Sequence, residues 1–208
     1  KDNYGGTLEN RMRIVLEILE ATRSEIGSHM IMGMRLNSDD GHEGGLGPDE
    51  WADIAHEFEE TGLIDYISFS HGTYINRMLI YPTAPETHGF QLAATGKIKK
   101  GLKVPVVGVG RITNPDEAEA WLAEGRFDFV GMARALVADP NWAKKALGGE
   151  PQRIRPCVGA NWCMSRIFAQ APLGCIHNPS AGQELELDEN SLQPAKSGKK
   201  VAVVGGGP

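Results

Sequence analysis

Apolar residues recur along this chain in two alternating patterns, one typical of helices and one typical of buried strands. Leu8–Ile26 carries apolar side chains three and four residues apart and precedes Gly27, which predicts a helix that ends there. Residues 30–36 are nearly all apolar and suit a strand buried on both faces. A second helix is predicted over 48–61 and a second strand over Tyr66–Ser70.

The same alternation continues in the second half of the chain. After a proline-containing loop over 73–88, Asn114 is placed to cap a helix that begins at Pro115. Four strands, each separated from the next by a helix, predict a parallel sheet with right-handed crossovers. By this pattern alone, an open doubly wound sheet and part of a (β/α)8 barrel fit equally well. The other predicted elements are helices over 90–100, 115–124 and 139–147 and strands over 104–109 and 127–132.

Two successive strands end in a small residue followed by arginine, as Gly110-Arg111 and Ala133-Arg134. Such ends let backbone N–H groups approach a phosphate, and arginine supplies a forked donor for its oxygens. Because barrels place phosphate sites after strands seven and eight, the pair favours the barrel and predicts a phosphate site. The alternative is packing glycines beside solvated arginines. The residues expected to bind a phosphate-bearing cofactor are Gly108, Gly110, Arg111, Gly131, Met132, Ala133 and Arg134.

Two further strands carry candidate catalytic side chains near their carboxyl ends. Arg35 ends the first predicted strand, where it is placed to hold negative charge on a cofactor in a barrel mouth; an ordinary salt bridge is the alternative. His71 occupies the matching position on the second strand, and its ordinary pKa suits proton transfer. A structural or exposed histidine is the alternative there.

The three cysteines of the chain lie close together, with the spacing C-x5-C-x11-C for Cys157, Cys163 and Cys175. Two nearby thiolates and one across a loop are typical of iron–sulfur sites. A tetrahedral zinc site and three buried free cysteines are the alternatives. His177 lies two residues beyond the last cysteine and is a less favoured fourth ligand, because histidine is rarer at such clusters.

The C-terminal part of the sequence changes in character. Residues 183–199 are acidic and polar and are interpreted as a linker. A strand is predicted over 201–204, and it runs into glycines that open a dinucleotide fingerprint, with Gly205 and Gly207 near the pyrophosphate. The predicted organisation is a strand–helix module over 1–150, a cysteine segment over 151–182, this linker, and the start of a nucleotide-binding domain over 200–208.

Composition excludes several classes of protein. A hydrophobic content of 41% and a charged content of 23% are ordinary for a globular protein, and a net charge of −6 argues against nucleic acid as the main partner. The sequence contains no apolar run of the roughly 20 residues needed to span a bilayer and no signal peptide, so a cytoplasmic location is expected.

Together these residues resemble the old yellow enzyme family, and within it the iron–sulfur flavoproteins such as 2,4-dienoyl-CoA reductase, trimethylamine dehydrogenase and the N-methyl amine demethylases. The segment from Asp2 to Arg11 is similar to the family's D-x-Y-G-G-S-x-x-N-R motif after barrel strand four. Arg35 matches the strand-five arginine near the flavin ring. Arg111 and Arg134, each after its small residue, match the grip on the FMN phosphate.

The resemblance implies the C-terminal half of a TIM (β/α)8 barrel that binds FMN, then an iron–sulfur segment and the first strand of a Rossmann-like domain for FAD, ADP or NAD(P). It implies a [4Fe–4S] cluster on Cys157, Cys163 and Cys175. The family motif C-x2-C-x2/3-C-x11/12-C has a further cysteine where this chain has Ala160, so the fourth ligand is open. Because half of the barrel and most of the nucleotide domain would lie outside the chain, the chain alone is expected to be inactive.

The implied activity is that of an NAD(P)H:flavin oxidoreductase, which reduces activated alkenes or oxidatively demethylates N-methyl amines. The expected partners are a small-molecule substrate and NAD(P)H or an electron-transfer flavoprotein, and a homo-oligomer is compatible with the sequence. The loop over 73–88 is expected to border the pocket and to vary in specificity. Two rivals stay open: a non-redox barrel enzyme for a phosphorylated metabolite, and a non-catalytic electron-carrying subunit. The loop residues expected to differ are Tyr74, Asn76, Arg77 and Tyr81.

Overall fold

The computed structural model describes residues 2–188, 191 and 193–205, and a four-stranded parallel sheet forms its centre. The sheet order follows the chain, and a helix lies in each crossover, so the predicted parallel α/β architecture is confirmed. The strands are β1 (Gly33–Asn37), β2 (Tyr66–Ser70), β3 (Val106–Gly108) and β4 (Phe129–Val130). The helices are α1 (Leu8–Ile26), α2 (Pro48–Glu60), α3 (Arg77–Ile80), α4 (Leu92–Lys99), α5 (Pro115–Ala123), α6 (Arg134–Ala138), α7 (Trp142–Leu147), α8 (Trp162–Phe168) and α9 (Glu184–Leu187), with 3₁₀ turns at Tyr74–Asn76 and Pro151–Arg153.

Helix α1 shows how the local sequence sets the ends of an element. The Oγ1 atom of Thr7 accepts a hydrogen bond of 3.3 Å from the backbone N–H of Asn10 and so caps the first turn. At the other end, Gly27 adopts a φ of 69°, which glycine tolerates, and its N–H donates to the carbonyl of Arg23 at 2.9 Å. The helix therefore begins and ends where the sequence predicts.

One face of the sheet packs under the helices and forms the core. Ile67, Phe69 and Val106 have no exposed surface there. They belong to the same apolar cluster as Phe58 of α2 and Leu92 of α4. Burial of each such side chain stabilises the fold by about 1.5–3 kcal/mol, so this face holds the strands in their register.

The described residues leave the opposite face of the sheet partly open. Arg35 pairs with Ser68, Ser68 with Val107, and Val107 with Phe129, so the four form one row across the sheet. Arg35 and Phe129 at the ends of this row are exposed. The prediction that the first strand is buried on both faces is therefore wrong for the described chain. In a closed barrel this face would line the interior.

Other predicted elements differ from the structure at their ends or in kind. The strands predicted over 104–109 and 127–132 shorten to β3 and β4, because only their central residues pair with a neighbour. Residues 201–204 are exposed and form no strand, since no described strand pairs with them. Helices α3, α6, α8 and α9 were not predicted. None of the described helices is long and apolar enough to cross a bilayer.

A buried carboxylate joins the sheet module to the cysteine segment. Asp139 has no exposed surface, and Lys145 donates from Nζ to its Oδ2 at 2.7 Å. The same oxygen accepts the backbone N–H of Arg155 at 2.8 Å, and Oδ1 accepts that of Asn141 at 3.0 Å. Burial alone would raise the pKa of Asp139, but these hydrogen bonds outweigh it and hold the pKa below its ordinary value.

Candidate functional site

The carboxyl ends of the strands open into a cavity of about 310 Å³ whose lining is positively charged. Arg35 of β1, Arg111 after β3 and Arg134 after β4 all line it, and no described aspartate or glutamate does. This concentration of positive charge occurs in a chain whose net charge is −6. The volume lies near the lower end of the range of about 300–1,000 Å³ for small-molecule sites. The cavity therefore suits an anionic ligand.

Arg111 is held in place by main-chain oxygens of the loop over 73–88. It follows β3 with a φ of 50°, a conformation that residues other than glycine seldom adopt outside functional sites. Its Nη1 donates to the carbonyl of Thr83 at 3.0 Å, to that of Ala84 at 2.9 Å, and to that of Glu86. Among the described residues, none accepts a hydrogen bond from its Nε or Nη2. These two donors are therefore left for an anion.

Arg134 lies where the cavity meets the cysteine segment. Its Nη1 donates to the carbonyl of Pro82 at 2.6 Å and to Oδ1 of Asn161 at 2.5 Å. Asn161 in turn donates from Nδ2 to the carbonyl of Tyr81 at 2.7 Å. One asparagine thus ties the arginine, the loop and the cysteine segment together.

Gly131 lies on the floor of the cavity, closely packed against two valines. A Cβ atom at Gly131 would lie 2.7 Å from Cγ1 of Val109 and 3.1 Å from Cγ1 of Val107. Further along this face, Nη1 of Arg35 donates to Oγ of Ser68 at 3.3 Å. A cavity lined by three arginines and by Gly110 and Gly131, which carry no side chains, fits a phosphate-bearing group.

His71 lies at the end of β2 with one ring nitrogen engaged. Oγ of Ser38 donates to the carbonyl of Ser70 at 2.8 Å and lies 3.2 Å from Nδ1 of His71. The hydroxyl oxygen therefore accepts the Nδ1–H, which leaves Nε2 with its lone pair. Burial lowers the pKa of His71, against the opposing effect of Asp39, so the ring is neutral at pH 7. The ring also meets Phe90 edge-on, with centroids 5.5 Å apart.

A second and smaller cavity, of about 20 Å³, is lined by all three cysteines. Cys157 precedes α8, Cys163 lies within α8, and Cys175 follows a loop; all three are free thiols of intermediate exposure. Cys157 and Arg134 line both this cavity and the larger one. The two cavities are therefore neighbours that share these two side chains.

The electrostatics of the two cavities are coupled. Burial raises the pKa of the Cys163 thiol, and Cys157 and Cys175 raise it further. Burial lowers the pKa of Arg134, which Cys157 and Cys163 oppose, although the guanidinium stays charged. A metal centre bound at these cysteines would favour their thiolates, because a metal ligand must be deprotonated.

At least two of the three cysteine sulfur atoms lie more than 4.8 Å apart. Zinc holds its sulfur ligands about 3.8 Å apart. The one described group of three potential ligands whose atoms all lie within 4.8 Å of one another is His56, Glu59 and Glu60, away from the cysteines. The wider spacing of the thiols suits a polynuclear cluster better than the zinc alternative.

Replacing Gly159 by alanine is expected to cost more stability than the same change at Gly125. Both residues have a φ near 70°, so both variants carry the same backbone strain. A Cβ at Gly159 would lie 2.9 Å from the backbone nitrogen of Ala84, whereas Gly125 has nothing within 4 Å. The overpacked variant should lose about 1–3 kcal/mol more of its free energy of unfolding, measured in urea on the full-length protein. Equal losses would mean that the cysteine segment does not press on the loop.

The structure brings most of the predicted cofactor-binding residues together and leaves three out. Gly108 is buried, and a Cβ there would lie 2.4 Å from Cδ1 of Phe127. Gly108 is therefore a packing glycine, which is the alternative named in the sequence analysis. Gly205 is exposed and lines neither cavity, and Gly207 lies outside the described residues. Those that line the larger cavity are Arg35, Gly110, Arg111, Gly131, Met132, Ala133 and Arg134.

The loop over 73–88 borders the larger cavity, but through other residues than expected. Ile80 and Pro82 line it. His71 is not among the lining residues either. The loop residues expected to set specificity that do not line the cavity are Tyr74, Asn76, Arg77 and Tyr81.

Sequence reasoning missed several polar residues of the site, among them Asn161, Gln91 and Ser68. Asn161 lies just before α8 and has a φ of 54°. Asparagine is one of the few residues that adopt this left-handed conformation, so an asparagine before a predicted helix could have drawn attention to it. Gln91 is buried, lines the cavity and donates from Nε2 to the carbonyl of Leu79 at 2.7 Å. Ser68 alternates with apolar residues in β2, which marks it as facing away from the core.

Comparison with known proteins gives consistent matches over the whole chain. An NADH oxidase of Thermoanaerobacter brockii is 39% identical over 209 aligned residues, which cover 100% of this chain and 32% of the relative. An N,N-dimethylglycine/sarcosine dehydrogenase of Chromohalobacter salexigens is 37% identical, with coverage of 100% and 30%. The chain thus spans about a third of the length of the curated relatives it matches.

Solved structures agree with the fold. A 2-naphthoyl-CoA reductase bound to 2-naphthoyl-CoA has a TM-score of 0.87 and 36% identity, covering 95% of this chain and 30% of that one. The histamine dehydrogenase of Rhizobium sp. 4-9 has a TM-score of 0.80 and 30% identity, with coverage of 88% and 26%. Since these neighbours are barrels of the old yellow enzyme family, the chain forms part of such a barrel. The model of the NADH:flavin oxidoreductase / NADH oxidase family matches residues 1–153, and the chain belongs to that family.

Proposed function

We propose that the full protein is an FMN-dependent oxidoreductase in which an iron–sulfur cluster relays electrons between the flavin and a second cofactor or a partner. The observation that carries the proposal is the cavity with three arginines and no described carboxylate, which shares Cys157 with the cavity of the three thiols. Membership of a flavin oxidoreductase family favours this function over a non-redox enzyme for a phosphorylated metabolite.

The residues after β3 and β4 would hold the phosphate of FMN. Arg111 offers Nε and Nη2, and the loop carbonyls keep its guanidinium oriented before the ligand arrives. Arg134 adds a second charge, and the backbone N–H groups of Met132 and Ala133 donate to no described residue. Gly131, which lines the same cavity, would let the backbone come close to the phosphate. Forked donors and free N–H groups together suit a dianionic oxygen cluster.

Bound FMN supplies the exchange of a hydride with the substrate. Arg35, oriented by Ser68, would stabilise negative charge on the reduced ring. His71 would move a proton at Nε2, because Ser38 fixes the proton on Nδ1 and burial keeps the ring neutral. We therefore assign positioning of the cofactor to the arginines and substrate contact or proton transfer to His71.

Cys157, Cys163 and Cys175 would hold a [4Fe–4S] cluster, which supplies single-electron transfer. The family's second cofactor, FAD or ADP, would bind beyond the linker, where Gly205 and Gly207 remain predicted contacts. NAD(P)H or an electron-transfer flavoprotein would be the electron partner, and a cytoplasmic location and a homo-oligomer are compatible with this assignment.

The substrate is proposed to be an activated alkene or an N-methyl amine. Relatives at 31–37% identity carry names of both kinds, among them a multifunctional alkene reductase/demethylase and an N,N-dimethylglycine/sarcosine dehydrogenase. Ile80 and Pro82 of the loop line the cavity and give its mouth an apolar border. This border suits the uncharged reacting part of either substrate class.

The deciding experiment uses the full-length protein purified without oxygen. Its visible spectrum and its content of flavin, iron and sulfide per chain should show FMN with about four irons and four sulfides. Stopped-flow mixing with an enone, an unsaturated acyl-CoA thioester and an N-methyl amine should then change the flavin absorbance with one of the three classes. A colourless protein, or a flavin that responds to none of them, would remove this function.

The same assay tests His71. Replacement by glutamine should leave the flavin content unchanged and slow the change in flavin absorbance by about a hundredfold or more, as expected for loss of a general acid or base. The matched control is His56→Gln, a histidine on α2 whose side chain is 54% exposed. An unaffected rate in His71→Gln would leave the flavin assignment standing and give the proton transfer to another group.

A further inference from the structure

The cavity of the three cysteines has a place where a fourth ligand is missing. Its lining includes Ala160, which stands at the position of a cysteine in the family motif that this chain resembles, and a methyl group cannot bind iron. A cluster of four irons takes one protein ligand at each iron. The fourth iron of a complete cluster therefore takes a donor from another residue or a water-derived ligand.

Only one other described side chain in this lining has a lone pair to give. Arg134 is a cation without an acceptor atom, and the indole of Trp162 is a donor only. Both ends of the Asn161 amide are engaged, by Arg134 and by the carbonyl of Tyr81. No described carboxylate lines the cavity, which leaves His177.

The ring of His177 is already held as a metal-binding histidine is held. Its Nδ1 lies 2.9 Å from the carbonyl oxygen of Pro156. A carbonyl can only accept, so Nδ1 carries the proton and Nε2 keeps a free lone pair. Ligating histidines almost always donate their other N–H in this way, which fixes the tautomer and raises the basicity of the ligating nitrogen.

The same hydrogen bond closes the cysteine segment on itself. Pro156 immediately precedes Cys157, and His177 follows Cys175 by two residues. The contact between Pro156 and His177 therefore brings the first and the last thiol to one cavity. It orients the histidine and the two outer cysteines together.

We propose that Nε2 of His177 is the fourth ligand of the cluster, in place of the thiolate that Ala160 cannot provide. This inference rests on the proposed presence of a cluster. A neutral imidazole replaces an anionic thiolate, so the cluster carries one negative charge less. Its reduction potential is then higher than with four thiolates, as in other clusters where histidine replaces cysteine.

The test is pulsed electron paramagnetic resonance on the reduced full-length protein, grown with ¹⁵N-histidine and purified without oxygen. The wild-type protein should show coupling to a histidine nitrogen. His177→Ala should lose that coupling and fall to about three irons per cluster, because one iron loses its protein ligand. Ala160→Cys should keep full iron, lose the coupling and shift the potential to a more negative value. His29→Ala, at an exposed histidine outside the cavity, serves as the control.

The outcomes separate this inference from the function on which it rests. A wild-type cluster without histidine coupling, together with unchanged iron in His177→Ala, would overturn the ligand assignment and leave the iron–sulfur oxidoreductase intact. Wild-type protein that contains flavin but no iron would overturn both the cluster and its ligand. Flavin content in the same samples shows whether the flavoenzyme itself stands.

Discussion

Replacing Arg111 by alanine is expected to weaken FMN binding by about ten- to a hundredfold. Hydrogen bonds to a charged group contribute about 1.5–3 kcal/mol, and each 1.4 kcal/mol corresponds to tenfold in affinity. The variant also frees the carbonyls of Thr83 and Ala84, which Arg111 now holds at 3.0 and 2.9 Å. The dissociation constant would be measured by the quenching of flavin fluorescence on full-length protein from which the flavin has been removed.

Two matched variants separate the phosphate contact from the general loss of an arginine. Arg111→Lys keeps the charge without the fork, so an intermediate affinity is expected. Arg153→Ala removes an exposed arginine whose partner is Glu150, with 63% and 47% of the side chains accessible, and should leave the affinity unchanged. If Arg111→Ala bound FMN as tightly as Arg153→Ala, the phosphate would lie elsewhere.

Replacing Asp139 by asparagine is expected to lower the free energy of unfolding by about 3–5 kcal/mol. The change removes one partner of a buried ion pair and leaves the charge of Lys145, whose side chain is 15% exposed, uncompensated. It also weakens the acceptor for the backbone N–H of Arg155, two residues before Cys157. Urea unfolding of the full-length protein would measure the loss, and lower iron retention should accompany it.

The effect of Asp139 should depend on pH in a defined direction. Its pKa in the folded protein lies below the unfolded value of about 3.9, so its contribution is complete above that pH and is lost as the pH falls through the folded pKa. The difference between the wild type and Asp139→Asn should therefore shrink below about pH 4. Glu150→Gln, at an exposed ion pair, should change stability by less than about 0.5 kcal/mol at any of these pH values. A constant difference down to pH 2 would contradict the assignment.

Helices and strands whose ends are marked by their own residues could be predicted from the sequence. Helix α1 has both a threonine cap and a terminal glycine, and β2 is bounded by polar residues, so both were predicted to the residue. Strand pairing depends on a neighbour that may lie far away in sequence. Residues 201–204 have the composition of a strand, yet no described strand is there to accept their hydrogen bonds.

The charged residues of the candidate site could be predicted from the sequence, but the hydrogen bonds that connect them to the loop and the cysteine segment could not. Arg35, Arg111 and Arg134 were found because each stands on a strand of the alternating pattern or just after one, and strand ends of a parallel sheet meet at one edge. The bridge from Arg134 through Asn161 to the loop needs a left-handed backbone and a contact across 80 positions of sequence. No local pattern contains that information. The packing role of Gly108 was likewise decided by Phe127, two residues before β4.

The way in which Arg111 is held has a consequence for how this protein can diversify. Its three loop partners, Thr83, Ala84 and Glu86, contribute main-chain oxygens rather than side chains. Ile80 and Pro82, the loop residues that line the cavity, can therefore be substituted and alter the surface offered to a substrate while these carbonyls go on orienting the arginine. Side-chain substitutions in the loop can therefore change substrate specificity without altering the hydrogen bonds that hold Arg111 at the proposed phosphate site.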